Sequence, residues 1–296
     1  MQRFGQQEDV RRPAAGHRGN GVHLRFVVDP DRLARGGQQR LRFAAIFGGH
    51  DPRTIRVAEP VDALRDSLTR DFGVSVFAGA SEAVQGASTW VLSVKPQVLR
   101  GVCEALAPQA QAAHPLIVSV AAGITTAQLE RWLGGDIAVV RAMPNTPALL
   151  GAGVTGLFAN ARVSDERRQR TQALLAAAGE TVWIDDEAHM DAVTAVSGSG
   201  PAYVFLLAEA MQAAGEAEGL SHDAARALAL QTILGAGRML VESDVEAAEL
   251  RRRVTSPNGT THAAIETFEA GGFRELVRRA VHAAAVRGKE LSDAND

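Results

Sequence analysis

Several short stretches of this chain set polar or charged groups where a backbone can present them to a ligand. In "VLSVKPQ", residues 91–97, an apolar run passes directly into Lys95-Pro96, placing a cation at a strand-like end. Lys95 and Lys289 are the only lysines in the chain. In "VVRAMPNTPALLGAG", residues 139–153, a second apolar run ends in a turn stiffened by Pro144 and Pro147, which exposes Asn145 and Thr146. An Asn there can bond a ribose, a carboxamide or its own turn. "SGSGPAY" puts Pro201 in the favoured first position of a helix, and "TSPNGTTHAAIETFE" sets Pro257-Asn258-Gly259 ahead of Thr260-Thr261. The free N–H groups and the dipole of a helix start suit an anion such as a small carboxylate. Each stretch also has a plainer reading: a solvated strand end for Lys95, a turn for Asn145, ordinary capping for the two helix starts.

This is chemistry of positioning, and other chemistries lack their signatures. No G-x-S-x-G elbow surrounds Ser197 or Ser199. No H-x-x-x-H or cysteine pair offers metal ligands, and "DDE" at 185–187 reads as a charged helix entry. His222, His262 and His282 read as surface or core residues. No strong general acid stands out.

The elements that must hold these groups divide the chain in three. Residues 1–40 are rich in Arg, Gly and Gln, carry no sustained period apart from a brief "LRFVV", and read as mostly disordered. Over 41–163, strand-like runs at 55–58, 74–77, 90–94, 116–121, 137–141 and 154–158 alternate with helical stretches at 60–72, 81–86, 98–107 and 126–133. Runs apolar on both faces, alternating with helices, predict a doubly wound, Rossmann-like parallel sheet covered on both sides. Ligands of such sheets bind at the carboxyl ends of the strands, where Lys95 lies. Over 164–296 one strand-like piece remains, at 181–184, and helices at 191–197, 201–219, 222–243, 246–255, 260–271 and 273–291 predict an all-helical domain. Its stripes of Ala and Gly, as in "AARALALQTILGAGRML", imply a subunit interface.

Bulk properties narrow the class. With 296 residues, 46% apolar, the chain can bury a real core. A net charge of −3 gives no pull toward nucleic acid or anionic lipid. The single cysteine, Cys103, reads as a small core residue and suits a reducing cytoplasm. No apolar run approaches the roughly 18 residues of a membrane span.

From residue 53 to 291 the chain resembles the pyrroline-5-carboxylate reductases. "AVSGSGPAYVFLLAEAM" and "VTSPNGTTHAAIETFEAGGFRELVRRAV" are similar to that family's two signature stretches, while "SVKPQ" and "AMPNTP" match its cofactor-side motifs. The family usually reads Ser-Pro-Gly-Gly where this chain has Asn258, a residue that accepts left-handed backbone angles better than most. The resemblance implies an NADPH- or NADH-binding Rossmann domain and a helical domain that dimerises and commonly builds larger assemblies, often decamers. It implies hydride transfer to the C5=N bond of 1-pyrroline-5-carboxylate, giving L-proline in the last step of proline biosynthesis. By position, Lys95, Pro96, Asn145 and Thr146 would lie near the nicotinamide and its ribose. Ser256, Gly259, Thr260 and Thr261 would hold the substrate carboxylate. The iminium is already electrophilic, so alignment suffices and no general acid is required. Cofactor preference stays open: Glu59 could accept ribose hydroxyls and favour NADH, whereas Arg56 or Arg65 could offset a 2′-phosphate, and the resemblance implies NADPH as the usual cofactor.

The front of the chain departs from the family. A strand, a Gly-Gly-Gly-Asn-Met-Ala type turn and a full helix are expected there, and "GGQQRLRFAAIFGGHDP" stands in their place. A reading frame shifted upstream of about residue 44 would account for it. Taken as written, residues 43–47 would serve as the first strand, with Gly48-Gly49 as its turn. Losing two or three charge-assisted bonds to a pyrophosphate, at about 1.5 to 3 kcal/mol each, would weaken cofactor binding by roughly two to six powers of ten. The alternative to a working reductase is therefore a catalytically impaired helical oligomer. A β-hydroxyacid dehydrogenase ranks lower, since no lysine falls between Lys95 and Lys289 to serve as its catalytic base.

Overall fold

A computed structural model describes the backbone of residues 24–28 and the whole of residues 50–294. An eight-stranded sheet with order β3-β2-β1-β4-β5-β6-β7-β8 organises the first part of the chain. Its strands are β1 (Leu24–Val28), β2 (Ile55–Ala58), β3 (Ser75–Phe77), β4 (Thr89–Ser93), β5 (Leu116–Ser119), β6 (Ala138–Pro144), β7 (Gly153–Ala159) and β8 (Gly179–Trp183). The first six are mutually parallel, with order reversing between β1 and β4, as in a doubly wound nucleotide-binding fold.

Strand alternation builds two separate cores. Trp90, Leu92, Ile117 and Val139 point to one face, where helices α2 (Ala80–Ala83), α3 (Pro96–Ala113) and α4 (Thr126–Trp132) cover them. Val57, Val91, Leu116, Val118 and Val140 point to the other, under α1 (Asp62–Phe72) and α5 (Asp165–Leu175). Because β4 and β5 are buried on both faces, they read in sequence as unbroken apolar runs. The start of α4 is set by a reciprocal capping box between Thr125 and Gln128. Cys103 is buried on α3, as expected of a small core residue.

Three expectations change. The first strand is Leu24–Val28, inside the segment read as disordered; residues 43–47 and the rest of 29–49 lie outside the described residues. "LRFVV" wins this place because it can pair with β2 on one side, Leu24 opposite Ile55, and with β4 on the other, Leu24 opposite Thr89. Its short pattern carries no such information without its neighbours. Second, β7 runs antiparallel to β6. The link from Asn145 to Ala152, containing one 3-10 turn at Thr146–Leu150, is too short for the crossover of a dozen or more residues that a parallel pair needs. Third, the sheet continues past residue 163: α5 and β8 complete it, with β8 parallel to β7.

After β8 the chain is helical: α6 (Met190–Val193), a π-helical turn at Thr194–Gly198, α7 (Gly200–Ala217), α8 (His222–Glu242), α9 (Ala247–Arg253), α10 (Thr260–Ala270) and α11 (Phe273–Asp293). No helix of the described residues is long and apolar enough to cross a membrane.

Candidate functional site

The carboxyl ends of the parallel strands form one rim, and the register says what meets there. Val27 pairs with Ala58, so Glu59 follows at the end of β2 beside the end of β1. Val28 pairs with Ser93, two residues before Lys95. The sheet order reverses between these two strands, which opens the crevice where open α/β sheets bind ligands.

Lys95 holds the N-cap position of α3 in an extended conformation, and Pro96 occupies the first helical turn, with no side-chain cap on the helix start. The strand therefore hands over to a helix whose leading N–H groups face the crevice end of the sheet, the arrangement that favours anionic groups. Asn145 stands at the start of the 3-10 turn after β6. Its Oδ1 accepts from the Val154 N–H at 3.0 Å. The plainer turn reading thus takes the oxygen, and the group Asn145 can offer a ligand is its NH2, a donor. Thr146 is exposed beside it.

Glu59 is fully buried. Its Oε1 accepts from the Val61 N–H at 2.8 Å, which pins the carboxylate under the start of α1. The two arginines weighed against it are both engaged. Arg56 lies over the Phe77 ring at 4.0 Å and donates to the carbonyls of Glu82 and Ala83 at the end of α2. Arg65 donates to the carbonyls of Glu59 and Pro60 and pairs with Asp62.

The anion-binding turn expected at 256–261 has the geometry its residues suggest. Asn258 adopts φ 59°, in the left-handed region. The Gly259 N–H donates to the Ser256 carbonyl at 3.0 Å, closing the turn. Gly259 is the N-cap of α10 and carries no side-chain cap, so the N–H groups of the first turn, at Thr260 and Thr261, are presented at an uncapped helix start. This turn belongs to the helical unit, whereas Glu59, Lys95, Pro96, Asn145 and Thr146 belong to the sheet rim.

What joins the two units was not visible in the motifs. The segment expected as one helix over 191–197 is instead a single α turn followed by a π-helical turn, Thr194–Gly198. π turns recur at functional sites because they re-aim side chains without ending a helix. At Gly198 an added Cβ would stand 2.7 Å from Met143 Cε, so the "SGSG" stretch seats directly on the strand that carries Asn145. The Ser197 hydroxyl oxygen is enclosed there without a hydrogen-bond partner. Behind it lies a buried ionic cluster. Arg141 on β6, 4% exposed, faces Glu187 at 3.6 Å and Asp191 at 3.7 Å. Glu187 in turn accepts from the N–H and hydroxyl of Thr126, each at 2.7 Å, at the start of α4. In sequence, "DDE" at 185–187 looks like a helix entry and carries no sign of this pairing.

No three metal-ligating side chains cluster among the described residues. The switch-point crevice, the buried carboxylate at the end of β2 and the uncapped start of α3 fit a dinucleotide; the turn after β1 lies in residues 29–49, outside the described residues.

Comparison with known proteins agrees with this arrangement. Residues 187–291 match the family described as pyrroline-5-carboxylate reductase dimerisation, and residues 37–123 match the family described as NADP oxidoreductase, coenzyme F420-dependent. The pyrroline-5-carboxylate reductase of Pseudomonas aeruginosa is 55% identical over 239 residues, covering 81% of this chain and 87% of that protein. Among solved structures, a pyrroline-5-carboxylate reductase from Coxiella burnetii superposes with TM-score 0.86 at 38% identity, over 92% of this chain and 99% of that one. The Plasmodium falciparum pyrroline carboxylate reductase with NADP bound gives TM-score 0.76 at 27% identity, over 92% and 98%.

Proposed function

The chain belongs to the pyrroline-5-carboxylate reductase family, and we propose that it reduces 1-pyrroline-5-carboxylate to L-proline with NADH or NADPH, the closing step of proline biosynthesis in the cytoplasm. The observation that carries this reading is the seat of Gly198 on Met143, which fastens the helical domain to the strand end bearing Asn145.

A dihydronicotinamide held at the switch point would supply a hydride to C5 of the cyclic iminium, whose nitrogen keeps its proton as the C=N bond becomes C–N. The chain's own part is alignment. Lys95, Pro96, Asn145 and Thr146 hold the nicotinamide half at the rim, with the Asn145 NH2 as a donor. Glu59 lies toward the adenosine ribose. Ser256, Gly259, Thr260 and Thr261 hold the substrate carboxylate through backbone N–H and hydroxyl donors at the uncapped start of α10. Fixing both reactants in this way is the form of catalysis such a site can provide, since an iminium needs no further activation.

The helical domain works as a homodimer or a larger assembly such as a decamer. Along α7 no residue is buried within one subunit, and Phe205 and Leu206 are 61% and 66% exposed. An apolar face of that size is stable in water when another subunit covers it.

The test is oxidation of NADH and NADPH, followed by absorbance, by the purified chain with and without pyrroline-5-carboxylate, with proline identified as the product. Imine-dependent turnover is expected. A folded, oligomeric chain that oxidises neither cofactor would overturn the reading in favour of an impaired oligomer.

A further inference from the structure

We propose that Tyr203, the only tyrosine of the chain, is a positioning residue for hydride transfer: its hydroxyl holds the π-helical turn that seats the helical domain on the strand end bearing Asn145. The inference rests on the reaction proposed above and adds to it a residue that acts through the backbone of another.

A π turn bonds each N–H one residue further back than an α-helix does, so its carbonyls fall out of step with the helix that follows. Here the Ser199 N–H, which an α-helix would give to the Ala195 carbonyl, donates to the Thr194 carbonyl instead, at 2.8 Å. Pro201, two residues on, has no N–H to offer. Ala195 is fully buried, so water does not reach its carbonyl either, and a buried backbone acceptor needs a donor. Tyr203 supplies one: from the start of α7 its hydroxyl donates to the Ala195 carbonyl at 3.0 Å.

What this turn carries is the junction between the two domains. Met143 and Gly156 stand opposite each other on β6 and β7. Gly198 seats on Met143, and a Cβ added to Gly156 would run into the Val193 side chain. Arg141, two residues before Met143 and therefore on the same face of β6, meets Asp191 of α6. These contacts fix where α6 ends, and the π turn fixes the direction in which α7 leaves. Were the turn to relax toward an α-helix, α7 would leave rotated by up to about 100°, the angle one residue spans. The cofactor rim lies on the sheet and the turn before α10 lies in the helical domain, so each would keep its own shape while their mutual placement changed. A misplacement of about 1 Å between reacting groups can cost on the order of a hundredfold in rate.

The test compares the full-length native chain with Tyr203→Phe, which removes one oxygen and keeps the ring. In the variant kcat is expected to fall about tenfold or more, while KM for the imine and the dissociation constants of NADH and NADPH stay within about threefold. Amide hydrogen exchange, read by mass spectrometry, is expected to quicken over residues 194–200 and to stay unchanged in β4 and α3. A folded variant with kcat within about twofold of the native value overturns the proposal, as does a loss shared equally between kcat and cofactor affinity, the mark of general damage. Should the variant not fold, exchange in the native chain decides: slow exchange over 194–200 upholds a fixed turn, and exchange at the rate of an open chain overturns it. A native chain without imine-dependent turnover would overturn the proposed reaction. Exchange in Tyr203→Phe would then still decide the hold of Tyr203 on the turn, unchanged rates overturning it and faster rates confined to 194–200 upholding it.

Discussion

Arg141 on β6 and Asp191 on α6 approach to 3.7 Å, and through this contact the sheet and the helical domain share a buried charge. Glu187 meets the same guanidinium at 3.6 Å while its oxygens bind Thr126, so one cation closes a junction of three elements. Removing one partner of a fully buried ion pair typically costs about 3–5 kcal/mol. Glu187 and Asp191 are 20% and 22% exposed, so Arg141→Met is expected to lose less, roughly 1–3 kcal/mol, in urea unfolding. Arg141→Lys should recover part of it, and a variant as stable as the native chain would show that the cluster is not a structural junction.

Gly179 opens β8 with φ 128°, and an added Cβ would lie 1.9 Å from the Gly153 carbonyl oxygen. That neighbour is backbone and cannot swing aside. Gly179→Ala therefore combines a forbidden backbone angle with a clash and is expected to cost roughly 2–5 kcal/mol. The measurement is the urea midpoint; a loss below about 1 kcal/mol would mean that β8 moves away from β7 easily.

In the turn before α10, Asn258 is left-handed at φ 59°. A β-branched residue resists that angle by roughly 1–2 kcal/mol. Asn258→Val should raise the KM for the imine about tenfold or more with cofactor affinity unchanged, and Asn258→Gly should behave like the native chain. Equal KM values in all three would separate this turn from the substrate carboxylate.

Burial, with a smaller contribution from Glu104, pushes the Cys103 thiol up to about 12 from its usual 9.0. The native thiol should fail to react with Ellman's reagent at pH 8, and one thiol per chain should react in urea. The sign of the linked stability follows from a folded pKa above the unfolded one. Its contribution is intact below about pH 9 and is lost as pH rises from there toward 12, at about 1.4 kcal/mol per pH unit. Cys103→Ala should flatten that part of the stability profile; an equally steep decline would place its origin in other groups.

Leu206 projects from α7 at 66% exposure in the isolated subunit. Leu206→Glu would bury a charge in the expected subunit contact and should yield monomers in light scattering after gel filtration. An assembly of unchanged mass would move the interface off this helix.

Much of the local geometry of the candidate site was legible in the sequence. Lys95-Pro96 does pass from β4 into α3, Asn145 does begin a turn after β6, and Asn258-Gly259 does form an uncapped helix start. These are local facts, dictated by proline geometry, by apolar runs and by the tolerance of Asn for left-handed angles. The alternation of strands and helices likewise marked a doubly wound sheet followed by a helical domain.

What local pattern could not supply is who pairs with whom. "LRFVV" became the first strand because β2 and β4 flank it, and a five-residue strand has no identity apart from its neighbours. The reversal of β7 came from a link too short to cross over, and the sheet reached past residue 163 because β8 found an edge to extend. The Asn145 oxygen turned inward to Val154, and Arg56 and Arg65 donate to carbonyls near β2. The residue types and their order determined the family and the chemistry available to it. Tertiary packing decided which groups still face the crevice, because each hydrogen bond made within the fold is one that its donor or acceptor no longer offers to a ligand.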